Sequence, residues 1–311
     1  MIKWCHAGHV LALSPLIASG ALPTVAEGPG VVSTESVEVR GSISPDGQRI
    51  VWGSTNRSGG PGGWDLWQAR RHSGNWVDAQ PLSIDTMSKE FDPAFSPDGF
   101  WLYFFSDRPG GFGGDDLYRS AILADGSFGA VENLGEAVNT RGDEWAPTLS
   151  ADGNALLYAS NGRADSRRHD LYIATWNGTR FDAVAPVPGI NTPADEFDAA
   201  WLANGRGLLF ARSENVDEKP IRLWLAHCDG HAYRAAQAWS DPLNRIDGYT
   251  LGPALDPQRK ETLLVTALME SAGKSTLDIV RVAMPPTTGR DGCVAPPGQP
   301  SRSQRATSIA K

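Results

Sequence analysis

One tetrapeptide recurs along this chain at nearly constant spacing, and that recurrence limits the possible folds more than any other feature. S-P-D-G occupies residues 44–47 and 96–99, S-A-D-G residues 150–153, L-A-N-G residues 202–205 and D-P-Q-R residues 256–259. The third positions are Asp46, Asp98, Asp152, Asn204 and Gln258, separated by 52, 54, 52 and 54 residues. Five copies of one unit are present, the last two with an eroded turn. Other landmarks keep the same frame. Eight positions ahead of the third turn residue stand Glu38, Glu90, Glu144 and Glu196, with Thr250 in the fifth copy. After each turn comes an apolar run: RIVWGS, WLYFFS, ALLYAS, GLLFARS, TLLVTA. A polar or glycine-rich loop follows, such as SDRPGGFGGDDLY at residues 106–118, and then DLW, DLY, DLY, RLW or LDIV.

Each unit reads as four short strands bounded by Gly, Pro, Asp and Asn, and no segment keeps a helical period. The Asp-Gly and Asn-Gly pairs supply the positive φ that a tight hairpin needs. About fifty residues and four strands per unit is the signature of a propeller blade. The nearly continuous apolar second strands fit blades that pack on neighbours through both faces. The sequence therefore predicts an all-β, five-bladed β-propeller of four-stranded antiparallel blades over residues 27–286. The blades start near residues 38, 90, 144, 196 and 250. The fifth copy ends after its third strand, before Pro285-Pro286. The segment 29–36 is expected to complete that blade as its fourth strand and so remove the free edges.

Outside the repeats, residues 1–26 read as a signal peptide: a short basic start, the apolar run VLALSPLIASGAL, then small residues. Residues 287–311 are rich in Pro, Gly, Ser and Arg and are expected to be a disordered tail. Beyond the leader no eighteen consecutive residues are apolar, so no membrane span is expected. A formal net charge of −8 argues against nucleic acid as a partner. Cys228 and Cys293 are the thiols left once the leader is removed. A bridge and two separate thiols are both compatible with the sequence.

Three stretches resemble the WD40-like repeat family known as PD40, of the kind that forms the TolB propeller. They are Glu90–Gly99 (E-F-D-P-A-F-S-P-D-G), Ser106–Tyr118, and Asn133–Glu144 (N-L-G-E-A-V-N-T-R-G-D-E). The resemblance covers roughly residues 29–285. It implies a propeller serving as a scaffold or binding module in the periplasm or outside the cell. Its expected partner is a protein or a peptidoglycan-associated ligand, and its expected state a monomer. The residues after the repeats, 286–311, are not expected to form a peptidoglycan-binding domain.

The segment leading into each first strand and the loop between strands two and three share one face of a propeller. That places Glu38, Glu90, Glu144 and Glu196 near one mouth of the central channel, beside Arg57, Arg108 and Arg163. Trp145, Asp92 and Asp198 lie one or two residues past their glutamates and join the candidate set. Two readings are open. In one, the carboxylates line a mouth that holds a cation, a basic peptide or a sugar. In the other, each glutamate pairs with a loop arginine or backbone amides and locks blade to blade. No catalytic residue and no metal ligand is assigned, and no cofactor is expected, although a cation in the channel is compatible with the acidic ring. The glycine-rich loop lacks the phosphate-loop and EF-hand patterns, so its expected use is a turn capped by Asp116. His227 and His231 have zinc-pair spacing but fall at a strand end and a Gly turn. The main functional alternative to a non-enzymatic binding propeller is a hydrolase or lyase acting on a glycan at an acidic channel mouth.

Overall fold

The computed structural model describes residues 25–217, 220–271 and 274–294. Among the described residues twenty strands form five separate four-stranded antiparallel sheets, and the chain is a five-bladed β-propeller. Blade one comprises β2 (Val37–Ile43), β3 (Arg49–Thr55), β4 (Trp64–His72) and β5 (Asn75–Pro81), preceded by β1 (Val25–Ala26). Blade two is β6 (Glu90–Phe95), β7 (Trp101–Ser106), β8 (Asp116–Ile122) and β9 (Phe128–Asn133). Blade three is β10 (Glu144–Leu149), β11 (Ala155–Ser160), β12 (Asp170–Trp176) and β13 (Phe181–Pro186). Blade four is β14 (Asp195–Leu202), β15 (Gly207–Ser213), β16 (Arg222–Cys228) and β17 (Tyr233–Ala238). Blade five is β18 (Thr250–Leu255), β19 (Thr262–Ser271) and β20 (Lys274–Ala283), with β1 as its outer strand. Among the described residues no helix is long and apolar enough to cross a membrane.

Closure follows the expected logic but uses other residues. β1 pairs with β20 through Val25–Arg281 and Ala26–Val280, and Glu27 N extends the pairing to Ile279 O at 2.7 Å. Residues 29–36, expected as the closing strand, form a chain of turns instead, with Val31 N and Val32 N both bonded to Gly28 O. The reason lies in the repeat frame. Residues 29–36 correspond to the connector that leads from one blade into the next, not to an outer strand. β1 also falls inside the span assigned to the leader, so a cut after Ala26 would remove the closing strand. Residues 1–24, the bulk of that leader, lie outside the described residues.

The core lies between blades. Adjacent β3 residues face opposite sides: Val51 packs with Leu102 and Phe104 of blade two, while Trp52 packs with Leu264 and Ile279 of blade five. All six are fully buried. A strand buried on both faces needs apolar residues at successive positions, which explains runs such as WLYFFS. The hairpin turns do what their sequence suggests: Gly47, Gly99 and Gly153 adopt φ of 72°, 77° and 69°.

Part of the span expected to be a disordered tail is ordered. Residues 287–294 are held against blade four, with Arg290 N bonded to Cys228 O at 2.8 Å. A disulfide joins Cys228 to Cys293, with their Cα atoms 6.0 Å apart. Residues 295–311 lie outside the described residues.

Candidate functional site: the central channel

The four glutamates do not line the channel. Each is fully buried and folded back on the connector that precedes it. Thr86 donates its backbone N–H (2.8 Å) and its hydroxyl (2.7 Å) to the Glu90 carboxylate. Thr34, Thr140 and Thr192 repeat this pair of bonds with Glu38, Glu144 and Glu196. A strand-two serine adds a third contact in two blades, from Ser106 to Glu90 and from Ser160 to Glu144. Burial pushes the Glu38 carboxyl up to about 7, against the opposing effect of its Thr34 bonds. Burial likewise raises Glu144 and Glu196.

The arginines complete these knots. Arg108 Nη2 lies 2.9 Å from Glu90 Oε1 and 3.2 Å from Ile84 O, and its guanidinium sits over the Phe104 and Tyr118 rings. Arg57 bonds Val31 O and Val32 O, lies 3.9 Å from Glu38, and stacks on Trp67 and Trp52. Arg163 bonds Ala137 O and Val138 O and sits over Tyr158 and Tyr172. Blade four supplies the same clamp from within strand β15, where Arg212 Nε approaches Glu196 to 2.6 Å. Blade five has Thr250 in the glutamate position, and its hydroxyl donates to Leu243 O. Each clamp ties the connector of the preceding blade to the body of the next. Trp145 is spent in a similar way: it donates to Asp115 at 2.8 Å and stacks on His169 with centroids 3.9 Å apart.

The residues two places after each glutamate position, Arg40, Asp92, Ala146, Asp198 and Gly252, converge on one another. All five have positive φ, between 45° and 63°. Each sits at a register break of its inner strand, the mark of a β-bulge that re-aims side chains. Arg40 crosses the axis. Its Nη1 lies 3.2 Å from Asp198 Oδ1, and Nη2 donates to Ala146 O, Pro147 O and Thr148 Oγ1 in blade three. Gly252 N donates to the other Asp198 oxygen at 3.0 Å. Burial, followed by the Asp198 charge, pushes Asp92 well above the usual carboxylate range. Of the ten candidates, then, Asp92 and Asp198 lie close enough for their charges to interact, and the other eight lie in contacts between or within blades. Arg40 was not foreseen. Its only sequence signal is its place in the repeat frame, where other blades carry Asp, Ala or Gly.

On the S-P-D-G side of this plug the channel widens into a funnel of about 1240 Å³. Arg40 forms its floor, and all five blades contribute walls, including Phe95, Leu149, Trp176, Trp201 and Leu255. Met284, Thr287 and Val294 complete the rim where the disulfide-tied segment passes. The large concave surface therefore lies on the face opposite the glutamates and glycine-rich loops. Those loops act as turns. Asp116 accepts from the N–H groups of Phe112 and Gly113, and a side chain at Gly113 would collide with Gly142 O. Among the described residues no three His, Cys, Asp or Glu side chains form a metal-holding group.

Three similar solved structures place this arrangement among known propellers. TolB from Acinetobacter baumannii superposes with a TM-score of 0.50 at 13% identity, over 82% of this chain and 56% of that one. The endo-arabinase from Bacteroides thetaiotaomicron VPI-5482 gives 0.55 at 13% identity, over 84% of this chain and 99% of that one. The catalytic domain of the Coprinopsis cinerea GH62 α-L-arabinofuranosidase gives 0.52 at 10% identity, over 85% and 97%. The chain spans little more than half the length of the TolB it matches. At these identities the likeness is one of fold alone. No protein-family model matches the sequence, and no curated protein matches it.

Proposed function

We propose that this chain is an exported binding propeller that captures a protein or cell-envelope ligand in the funnel of its central channel. The observation that carries the reading is the funnel itself: a five-walled, largely apolar concavity closed at its base by Arg40. Concave apolar surfaces with a few fixed polar groups are the usual form of a ligand site. The four glutamates are taken up in similar inter-blade knots, which removes the main reason to place catalysis there. The Cys228–Cys293 disulfide supports an oxidising, extracytoplasmic location.

A second reading, glycan cleavage, is favoured by one observation: Asp92 and Asp198 both stand at the axis, where their carboxyl groups have unlike surroundings. Unlike carboxyl groups are what glycoside cleavage uses. Against it, Asp198 is held by Arg40 and the Gly252 amide.

The test has two arms. The immobilised chain is exposed to a cell-envelope fraction, and retained protein or glycan is identified for wild type, for Leu149→Glu with Leu255→Glu, and for Glu90→Gln. Retention that survives Glu90→Gln and disappears in the funnel double variant is the expected result. Retention indifferent to the funnel substitutions would discard the reading. Product release from a glycan panel that is lost in Asp92→Asn would establish the alternative.

A further inference from the structure

In the repeat, the aspartate that opens strand three is saturated by the loop before it. Asp65 accepts from Gly62 N at 2.8 Å and Gly63 N at 3.0 Å. Asp116 accepts from Phe112 N, Gly113 N and Asn133 Nδ2. Blade three breaks this rule. Its loop reads N-G-R-A-D-S-R-R-H between residues 161 and 169 and lacks the paired glycines. Asp170 keeps one amide partner, Arg167 N to Oδ2 at 3.1 Å. Its Oδ1 is buried with no hydrogen-bond partner, in a residue only 3% exposed. A buried carboxylate oxygen left unpaired is costly.

Asp170 lines a cleft of about 380 Å³ that also contains Asp165, Tyr172 and Asn191. Asp165 brings a second carboxylate, positioned by the Tyr172 hydroxyl at 2.8 Å. Two of the three neighbouring cations are engaged elsewhere. Arg163 is bonded to Ala137 O and Val138 O, and Arg168 pairs with Asp195. Arg167 also lines the cleft: its backbone N–H donates to Asp170 and its side chain is exposed. The neutral groups are also spent, since Asn191 clamps Leu171 and Thr192 bonds Glu196. What remains is a pair of hard oxygen donors with space beside them.

We propose that this cleft binds a hard, partly hydrated divalent cation through Asp165 and Asp170, replacing the amide donors that blades one and two supply. Two carboxylates with water in the remaining positions suit Mg²⁺ or Ca²⁺, at the weak end of such sites, about 10⁻⁴–10⁻³ M. The site is separate from the channel and does not depend on the ligand captured there.

The experiment is titration calorimetry of the chelator-treated full chain with CaCl₂ and with MgCl₂, against NaCl at matched ionic strength. Wild type is expected to show one site for at least one divalent ion. Asp165→Asn, a substitution at an exposed position, is expected to weaken binding at least tenfold. Arg167→Gln, which removes a like charge from the cleft, is expected to tighten it severalfold. No saturable heat up to 10 mM of either salt, an equal response to NaCl, or unchanged affinity in Asp165→Asn would overturn the proposal. Melting curves of each variant without divalent ions confirm that the comparison is between folded chains.

Discussion

Arg40 of blade one and Asp198 of blade four form an ion pair across the propeller axis, 3.2 Å from Nη1 to Oδ1, with both side chains almost wholly buried. The pair joins two blades that are not neighbours in the ring, and the remaining Arg40 bonds reach blade three. One side chain from the first blade thus plugs the channel and links three sectors of the ring.

Breaking that pair from one side should be expensive. Arg40→Leu leaves Asp198 buried without its cation, and removal of one partner of a buried pair costs about 3–5 kcal/mol. Arg40→Met combined with Asp198→Asn removes both charges and should recover most of the loss. Urea unfolding of the single and double variants measures this. Equal stability of Arg40→Leu and wild type would refute the role assigned to the plug.

Asp85 offers a stabilising substitution. Its Oδ2 accepts from Leu82 N, and the Leu66 N–H bears on the same carboxyl, but Oδ1 is buried without a well-formed hydrogen bond. In the next three connectors the same position holds Asn139, Asn191 and Asn244. Each of these accepts from a backbone N–H and returns a bond to the carbonyl of the same residue, Leu117, Leu171 or Leu223. An ionised aspartate has no proton to return. Burial and the Glu90 charge accordingly push Asp85 from 3.8 up to about 8. A carboxyl group raised on folding contributes stability that is fully present below about pH 4 and is lost as pH rises to about 8. Asp85→Asn should therefore raise stability at pH 8 by about 1 kcal/mol, roughly 2 °C in Tm, and change little at pH 4. Thermal unfolding across that range checks both the size and the sign.

The Cys228–Cys293 bridge closes a span of 65 residues. In the chain-entropy account a loop of this length contributes about 4 kcal/mol. Replacing both cysteines by serine should lower stability by an amount of that order and let trypsin cut after Arg290, because the bridge anchors the segment that bears it. Denaturant unfolding and timed digestion with mass spectrometry give two independent readings. Wild-type stability with Arg290 still protected would show that the backbone bonds to blade four suffice.

What could be read from the sequence was whatever repeats locally. Blade number, strand order and hairpin turns follow from short-range patterns: Asp-Gly and Asn-Gly at a constant spacing, and apolar runs long enough for one strand. These depend on neighbours within about ten residues, so one copy interprets the next. The inter-blade knots were half legible, because Thr86, Glu90 and Arg108 recur in frame while the blade-four arginine, Arg212, has moved into its strand.

The channel itself was decided only by tertiary structure. A bulge with positive φ breaks the strict alternation of each inner strand, so Glu38 turns into the blade interface while Arg40 turns to the axis. Nothing in the residues around Arg40 names Asp198, more than 150 positions away, as its partner. The closing strand followed the same rule. Its two residues have no distinctive composition, and they are defined by the unpaired edge of β20 that they cover.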